Sequence, residues 1–340
     1  MDKGNADTLI DERGRPRFGI HSVPPSLFNL EDFRLYGSRG GNSLSKRLIL
    51  AFRMKRWQYL GVCNDDVIFG VAVVRLGYLS NLFAYLFDRR TRTIDEYNIV
   101  RPGGKSAVFQ GTSRSGTVAF TAGRSSLSII NGPSTVSLKG TIGGKLSVDL
   151  DFQRYAEPLV CLTRVGLKGF NYAHKEAGFA GKGKISRGDT SWNINAGQSF
   201  GVLDYTLGYL SRHTFWNWAA GGGIDSRENR VGFNCVQGIN ETGFTENAFW
   251  INGRLFKVDV VHFRYDDDDF LKPWDIASND GRVTIRFVPE GIRSANMQAG
   301  LFTSRFSQPF GRFQGSLRGK GMSVQLADVS GFTEEHYARW

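Results

Sequence analysis

Over most of this chain, apolar and polar residues alternate with a period of two, the spacing of half-buried strands. The runs 55–62 and 67–76 predict two strands separated by Asn64-Asp65-Asp66. Residues 81–87 predict another, ending in the basic turn Asp88-Arg89-Arg90. Five short runs follow at 107–110, 117–120, 127–130, 134–138 and 146–150, divided by Gly- and Ser-rich turns. Strands at such regular spacing indicate an antiparallel sandwich or barrel. The best hairpin is 248–258, where Asn252-Gly253 suits the two positive φ angles of a type I′ turn. Residues 258–265 extend it, and runs at 283–289, 300–306, 310–317 and 322–326 complete an up-and-down order. Helical spacing shows only after Pro24-Pro25, where Leu27, Leu30, Phe33 and Leu35 predict a short helix over 26–36. Residues 1–23 read as an arm, and from Lys46 the period is again near two. The last residues, ending on Trp340, suit a docked C-terminus. The expectation is an all-β protein with under roughly 15% helix, against the usual third. No βαβ unit appears, and no G-x-G-x-x-G follows a strand, so dinucleotide and P-loop functions are disfavoured.

Composition supports this pattern. With 340 residues, 41% hydrophobic and 22% charged, the chain can bury a sizeable core. Its 42 Gly against 9 Pro suit many strands joined by turns, and 26 Phe against 4 Met favour rigid aromatic packing. The formal net charge of +11 serves solubility, or attraction to an anionic membrane surface or an acidic ligand. Nucleic acid is not an expected partner: the densest basic cluster, 46–56, carries no zinc-finger, RRM or basic-zipper pattern. Cys63, Cys161 and Cys235 lack metal or disulfide spacing and read as reduced thiols of a cytoplasmic protein. The N-terminus shows no apolar h-region, and no run is long enough to span a bilayer. The sequon Asn240-Glu241-Thr242 is read as chance, and Asp266 to Asp269 as a solvated turn, lacking the spaced ligands of a calcium loop.

Residues 201–252 concentrate the candidate chemistry. Asp204, Arg212, His213, Asn217, Glu246 and Asn247 alternate there with Tyr205, Tyr209, Phe215, Trp216, Trp218, Phe249 and Trp250. An ordinary core does not want so many polar groups, because each needs a partner when buried. An aromatic-walled cavity with a few polar groups aimed inward accommodates both. Asp204 is either a general acid with a pKa raised by burial, or an acceptor for loop amides or Arg212. Glu246 and Asn247 either hold a ligand oxygen or satisfy turn backbone. On a strand, Trp216 and Trp218 share one face and Asn217 takes the other. Indole faces can steady a developing carbocation. Lys175, among Phe170 and Tyr172, is a surface lysine or a charged pocket group. No H-x-H or H-E-x-x-H spacing exists, so no metal is expected, and no cofactor is implied.

Longer motifs add a resemblance. Phe170-Asn-Tyr-Ala-His-Lys, Val202-Leu-Asp-Tyr-Thr-Leu-Gly, Thr214-Phe-Trp-Asn-Trp-Ala, Thr245-Glu-Asn-Ala-Phe, Gln308-Pro-Phe-Gly-Arg-Phe-Gln-Gly and Glu334-Glu-His-Tyr-Ala-Arg-Trp resemble the bacterial domain-of-unknown-function family 2804. That family is similar to a wider group with AttH-like proteins, hydroxyneurosporene synthase, tocopherol cyclase and decalin-forming cyclases. The resemblance implies two lipocalin-like antiparallel β-barrel or half-barrel domains packed together, with an apolar cavity. Asp204 matches the Asp of the group's Asp-His motif, and Trp216-Asn217-Trp218 its Gly-Trp-Asp-Trp motif. Tyr205 stands where the group often has His, and Asn217 where it has Asp.

The expected organisation is an N-terminal arm with a short helix over 1–40, a first β domain over 41–198 and a second over 199–340. The leading functional expectation is binding of a lipid- or isoprenoid-like molecule, with acid-catalysed hydration or cyclisation as the chemistry such a site allows. Asp204 and Glu246 are the candidate catalytic carboxyls. Lys175, Tyr205, Arg212, Trp216, Asn217, Trp218, Asn247 and Trp250 are the candidate ligand-binding residues. The alternatives are a non-catalytic carrier or sensor, and an interaction protein whose core is filled by its own side chains. The sequence leaves the oligomeric state open.

Overall fold

The structure, a computed structural model, describes residues 7–34, 43–167, 169–241, 243–299 and 302–340. Residues 1–6 of the expected arm, Leu35 and Tyr36 of the expected helix, Thr242 of the sequon and Gly300 of the expected 300–306 strand lie outside that set. Strand accounts for 65% and helix for 4% of the chain.

In chain order the first part contains β1 (Gly19–His21), α1 (Leu44–Arg53), β2 (Lys55–Cys63), β3 (Val67–Arg75), β4 (Leu79–Asp88), β5 (Thr93–Pro102), β6 (Ala107–Gly111) and β7 (Gly116–Ala122). There follow β8 (Ser125–Asn131), β9 (Thr135–Ile142), β10 (Leu146–Gln153), β11 (Leu159–Val165), β12 (Gly169–Arg187), β13 (Thr190–Ile194) and β14 (Phe200–Gly208). These strands form one antiparallel sheet in the order β5-β4-β3-β2-β14-β12-β10-β9-β8-β7-β6, with β11 and β13 on β12 and β1 on β11.

The second sheet is built from β15 (His213–Ile224), β16 (Arg230–Gln237), β17 (Ala248–Ile251), β18 (Arg254–Lys257), β19 (Val261–Arg264), β20 (Trp274–Ser278), β21 (Val283–Ala299), β22 (Phe302–Gly319) and β23 (Met322–Arg339). Its order is β18-β17-β16-β15-β23-β22-β21-β20-β19. The chain changes sheets at 209–212, so β14 pairs within the first sheet rather than after a break at 198/199. Both sheets curl into lipocalin-like half-barrels.

Local chemistry explains these elements and two departures from the sequence pattern. At the β17–β18 turn, Asn252 and Gly253 take φ angles of 50° and 82°, as a two-residue hairpin requires. Over the described residues 26–34, instead of the expected helix, there is a single 3-10 turn at Leu30–Asp32. Asn29 is drawn away from helical geometry by the arm: its side chain accepts from the Ile10 amide and donates to the Ile10 carbonyl, both at 2.9 Å. The α-helix lies instead at Leu44–Arg53, where period two was expected; Ser43 caps it by accepting from the Lys46 amide. Its apolar residues follow one another at helical spacing but face outward, so the alternation count missed them.

Each half-barrel is filled by its own side chains. In the first, Leu60, Phe69, Phe120 and Tyr172 are buried, and the arm adds Leu9, Ile10 and Phe33. In the second, Phe233, Trp274, Phe287 and Phe313 do the same. A third cluster, including Tyr59, Tyr85, Trp218, Trp250, Phe310 and Phe332, lies between the two sheets. Arg89 clamps that junction: it reaches Glu290 at 2.8 Å, the Ser330 hydroxyl at 2.7 Å and the Gly311 carbonyl at 3.0 Å.

Candidate functional site

Strand alternation decides what reaches the space between the sheets. On β14, Asp204 and Thr206 point to the junction, while Leu203, Tyr205 and Leu207 point into the first half-barrel. On β12, Lys175 takes the junction face, and Tyr172 lies in the first half-barrel with His174 and Glu176 on its side of the strand. On β15, Trp216 and Trp218 face the first sheet. These side chains line a cavity of about 150 Å³ between the sheets.

The polar focus of the cavity is a buried ion cluster drawn from the first sheet and from the loop between β16 and β17. The Lys175 ammonium lies 2.8 Å from Asp204 Oδ1 and 3.0 Å from Glu246 Oε2. Asp204 also accepts from the Trp57 indole at 3.1 Å and the Thr206 hydroxyl at 2.9 Å. Glu246 Oε1 accepts from Asn171 at 3.1 Å and from Asn240. Lys175 stands 5.2 Å from the Trp218 ring centroid, a desolvated cation–π contact. Burial alone would lower the Lys175 pKa, but the charges of Asp204 and Glu246 outweigh it and hold the ammonium above its ordinary value. For Glu246, burial pushes the carboxyl up, Lys175 pulls it down, Asp204 adds to the rise, and the net shift is upward.

A second polar row lies on the opposite wall. Glu334 accepts from the Trp216 indole at 2.9 Å and from Gln308 at 2.8 Å, and Gln308 accepts from Arg293 at 3.2 Å. His336 bridges Glu334 at 3.3 Å and the Ser304 hydroxyl at 2.9 Å, with its ring 4.1 Å from that of Trp216. The β22–β23 pairing lapses between Ser307↔Glu335 and Phe310↔Phe332, where Pro309 has no N–H to give. The register is the same on both sides of the gap, so Gln308 and Glu334 stand opposite each other across it. Trp57 and Trp340, with rings 6.3 Å apart, also line the cavity.

Of the residues singled out in the sequence, Asp204, Glu246, Lys175, Trp216 and Trp218 line this one cavity. The others do not reach it. Tyr205 faces the first half-barrel, where its hydroxyl accepts from Arg56 Nε at 2.6 Å. Its neighbour Asp204 occupies the cavity face, and adjacent strand residues cannot share a face. Asn217 likewise takes the far face and donates to Tyr265 at 2.9 Å. Arg212 is exposed, and its carbonyl accepts from the Trp340 amide at 3.0 Å. Asn247 ties backbone together, accepting from the Val236 amide at 2.6 Å and donating to the Asp259 carbonyl at 2.7 Å. By pinning that loop it fixes Glu246 inward. Trp250 packs in the junction and donates to the Glu157 carbonyl at 2.7 Å.

Sequence reasoning missed Trp57, Asn171, Arg293, Glu334 and His336. The alternation Phe332, Glu334, His336 was a readable signal, but only the sheet order places it opposite Asp204. The Asp266 to Asp269 turn is held by its own amides, Asp266 Oδ1 accepting from Asp268 at 3.0 Å and Asp269 at 3.1 Å.

A protein-family model described as Domain of unknown function (DUF2804) matches residues 4–340. The chain belongs to the DUF2804 family. Among solved structures, CghA with Sch210972 is 11% identical, with a TM-score of 0.54, covering 83% of this chain and 87% of that one. Kievitone hydratase from Nectria haematococca is 12% identical, with a TM-score of 0.53 and coverage of 83% and 88%. A candidate AttH from Nitrosomonas europaea is 11% identical, with a TM-score of 0.52 and coverage of 89% and 98%. At these identities the likeness establishes a shared fold. A search of curated protein sequences gives no match.

Proposed function

We propose that this DUF2804 protein binds an apolar, alkene-bearing small molecule between its two β domains and hydrates or cyclises it by acid catalysis. The observation that carries this reading is a buried Asp204–Lys175–Glu246 cluster opening on a cavity walled by Trp57, Trp216 and Trp218. Glu246 is the proton donor: its raised pKa lets it hold a proton that it transfers to an alkene carbon. The cation so formed is steadied by the indole faces and by the Asp204 carboxylate. Addition of water or of a hydroxyl of the same molecule then quenches it with loss of the O–H proton, whereas attack by a second double bond moves the cation, which is quenched when a neighbouring C–H proton leaves. The proton released in that step returns to Glu246, so the acid is regenerated. Lys175 has three N–H donors and spends two on the carboxylates, leaving one for a ligand oxygen. The like-folded kievitone hydratase and ligand-bound CghA support small-molecule chemistry on such a fold.

A second reading, a non-catalytic carrier, is favoured by one observation: Asp204 and Glu246 accept a hydrogen bond on every oxygen. Such saturation is what a structural ion cluster needs. Incubation of the protein with an apolar metabolite extract in D2O separates the two. Catalysis leaves one carbon-bound deuterium in a product seen by mass spectrometry, and Glu246→Gln abolishes it while native mass spectrometry still shows bound ligand. Ligand retention without any deuterium incorporation by the wild type favours the carrier. A wild type that retains no apolar molecule and converts none overturns both.

A further inference from the structure

We infer that α1 is a docking surface for an anionic lipid bilayer, set beside the opening of the cavity between the sheets. The helix presents its apolar face outward. Leu44, Leu48, Ile49 and Phe52 are 75%, 65%, 52% and 58% exposed, and among its residues only Leu50 is buried. At 100° per residue, Leu44, Leu48, Phe52 and Ile49 fall within one arc of about 140°, which Ser45 shares. A surface helix of a globular protein turns such an arc inward, so this one is built for a partner. Charge identifies the partner. Arg53 and Lys46 flank one edge of the arc and Arg47 the other, and the helix carries no acidic residue. An apolar strip between rows of cations fits the interface of a bilayer with anionic headgroups, and the net charge of +11 acts in the same sense. Ten residues span about 15 Å, half the hydrocarbon thickness, so the helix lies in the interface and does not cross it.

Its position is fixed relative to the cavity. The Phe52 ring lies 4.9 Å from that of Tyr78. At Gly77 a Cβ would come within 2.5 Å of the Phe52 carbonyl oxygen, so the β3–β4 turn and the helix end sit in direct contact. Lys55, just beyond the helix, donates to the Leu76 carbonyl at 3.4 Å and stands 6.0 Å from the Trp340 ring. Leu76, Leu79 and Trp340 line the cavity. At this end Val100 is exposed and Leu79, Met297 and Trp340 are half-buried, whereas Tyr59, Asp204 and Trp218 at the other end are buried. A bilayer on α1 therefore lies at the open end, where an apolar molecule can pass from lipid to protein without crossing water.

Flotation with vesicles tests this without knowledge of any ligand and independently of whether the cavity is catalytic. The wild type is expected to float with vesicles of equal phosphatidylglycerol and phosphatidylcholine, to stay behind with phosphatidylcholine alone, and to detach in high salt. Arg47→Glu/Arg53→Glu should weaken binding about 20-fold or more, at about fivefold for each cation lost. Leu48→Ser/Ile49→Ser should also abolish flotation while the thermal melt stays unchanged, because both side chains already face solvent. No flotation of the wild type on anionic vesicles overturns the inference, as does undiminished flotation of both variants. A wild-type dimer that Leu48→Ser/Ile49→Ser converts to a monomer, without vesicle binding, assigns the face to a second copy instead.

Discussion

Replacing Lys175 by Met tests the ion cluster most directly. The substitution keeps the length and apolar stem of the side chain and removes its charge. Asp204 retains its bonds from Trp57 and Thr206, and Glu246 those from Asn171 and Asn240. Neither carboxylate retains a cation. Their nearest oxygens both lie within 3.0 Å of Nζ, so they are no more than about 6 Å apart, and at an effective dielectric of about 20 they then repel by about 3 kcal/mol. This agrees with the roughly 3–5 kcal/mol seen when one partner of a buried ion pair is deleted. The defect should depend on pH. Without the ammonium, burial and mutual repulsion raise a carboxyl pKa in the folded state above its unfolded value of about 4. Stability is then regained as pH falls through the raised folded value toward the unfolded one. Urea denaturation between pH 5 and 8 should show a defect of about 3–5 kcal/mol at pH 8 that shrinks toward pH 5. Lys175→Met/Glu246→Gln should recover more than half of it, because one buried charge is gone. A loss below about 1 kcal/mol, a loss independent of pH, or a double variant less stable than the single one would refute the coupling of these three groups.

Other outcomes follow from the same geometry. Trp218→Ala removes edge contacts to Tyr59 at 5.2 Å and Phe332 at 4.8 Å and should cost about 3–5 kcal/mol, with loss of any bound apolar molecule; an unchanged melt would show that the indole does not hold the junction. In the first half-barrel, Ser113, His174, Glu176 and Arg154 form a buried chain, with Ser113 Oγ 2.9 Å from His174 and His174 2.9 Å from Glu176. Burial lowers the His174 pKa below 6.5 against the opposing pull of Glu176, while burial raises the Glu176 pKa but Arg154, His174 and Arg114 together lower it more, leaving it below 4.5. Both groups thus contribute stability present above their unfolded pKa values and lost as pH falls, His174 first. His174→Gln should flatten the loss that begins below pH 6.5, as read by thermal melts across pH 4–8. Burial pushes the Cys63, Cys161 and Cys235 thiols up to about 12, so iodoacetamide at pH 8 should label none of them until urea unfolds the protein.

The strands were legible because a half-buried strand writes its burial into alternate residues. Runs such as 146–150 and the Asn252-Gly253 hairpin need no tertiary information to be read. Of the carboxyls and indoles concentrated over 201–252, four, Asp204, Trp216, Trp218 and Glu246, line one cavity. What alternation cannot give is the partner of each face. Tyr205 and Asn217 looked equivalent to Asp204 and Trp218 because β14 and most of β15 are buried on both sides, one face toward a half-barrel and the other toward the junction. Only the curl of the sheets decides which face is which. The same limit hid Glu334 and His336, whose relation to Lys175 is a matter of one sheet stacking on another across more than a hundred residues of chain. The helix at α1 was misread for a related reason: its apolar arc faces away from the protein, so the pattern that normally reports a core reported an outer surface. Sequence by itself determined the period, the turns and the chemical stock of the site. The tertiary structure decided where the cavity lies, because a cavity belongs to two surfaces and each run of sequence describes only one.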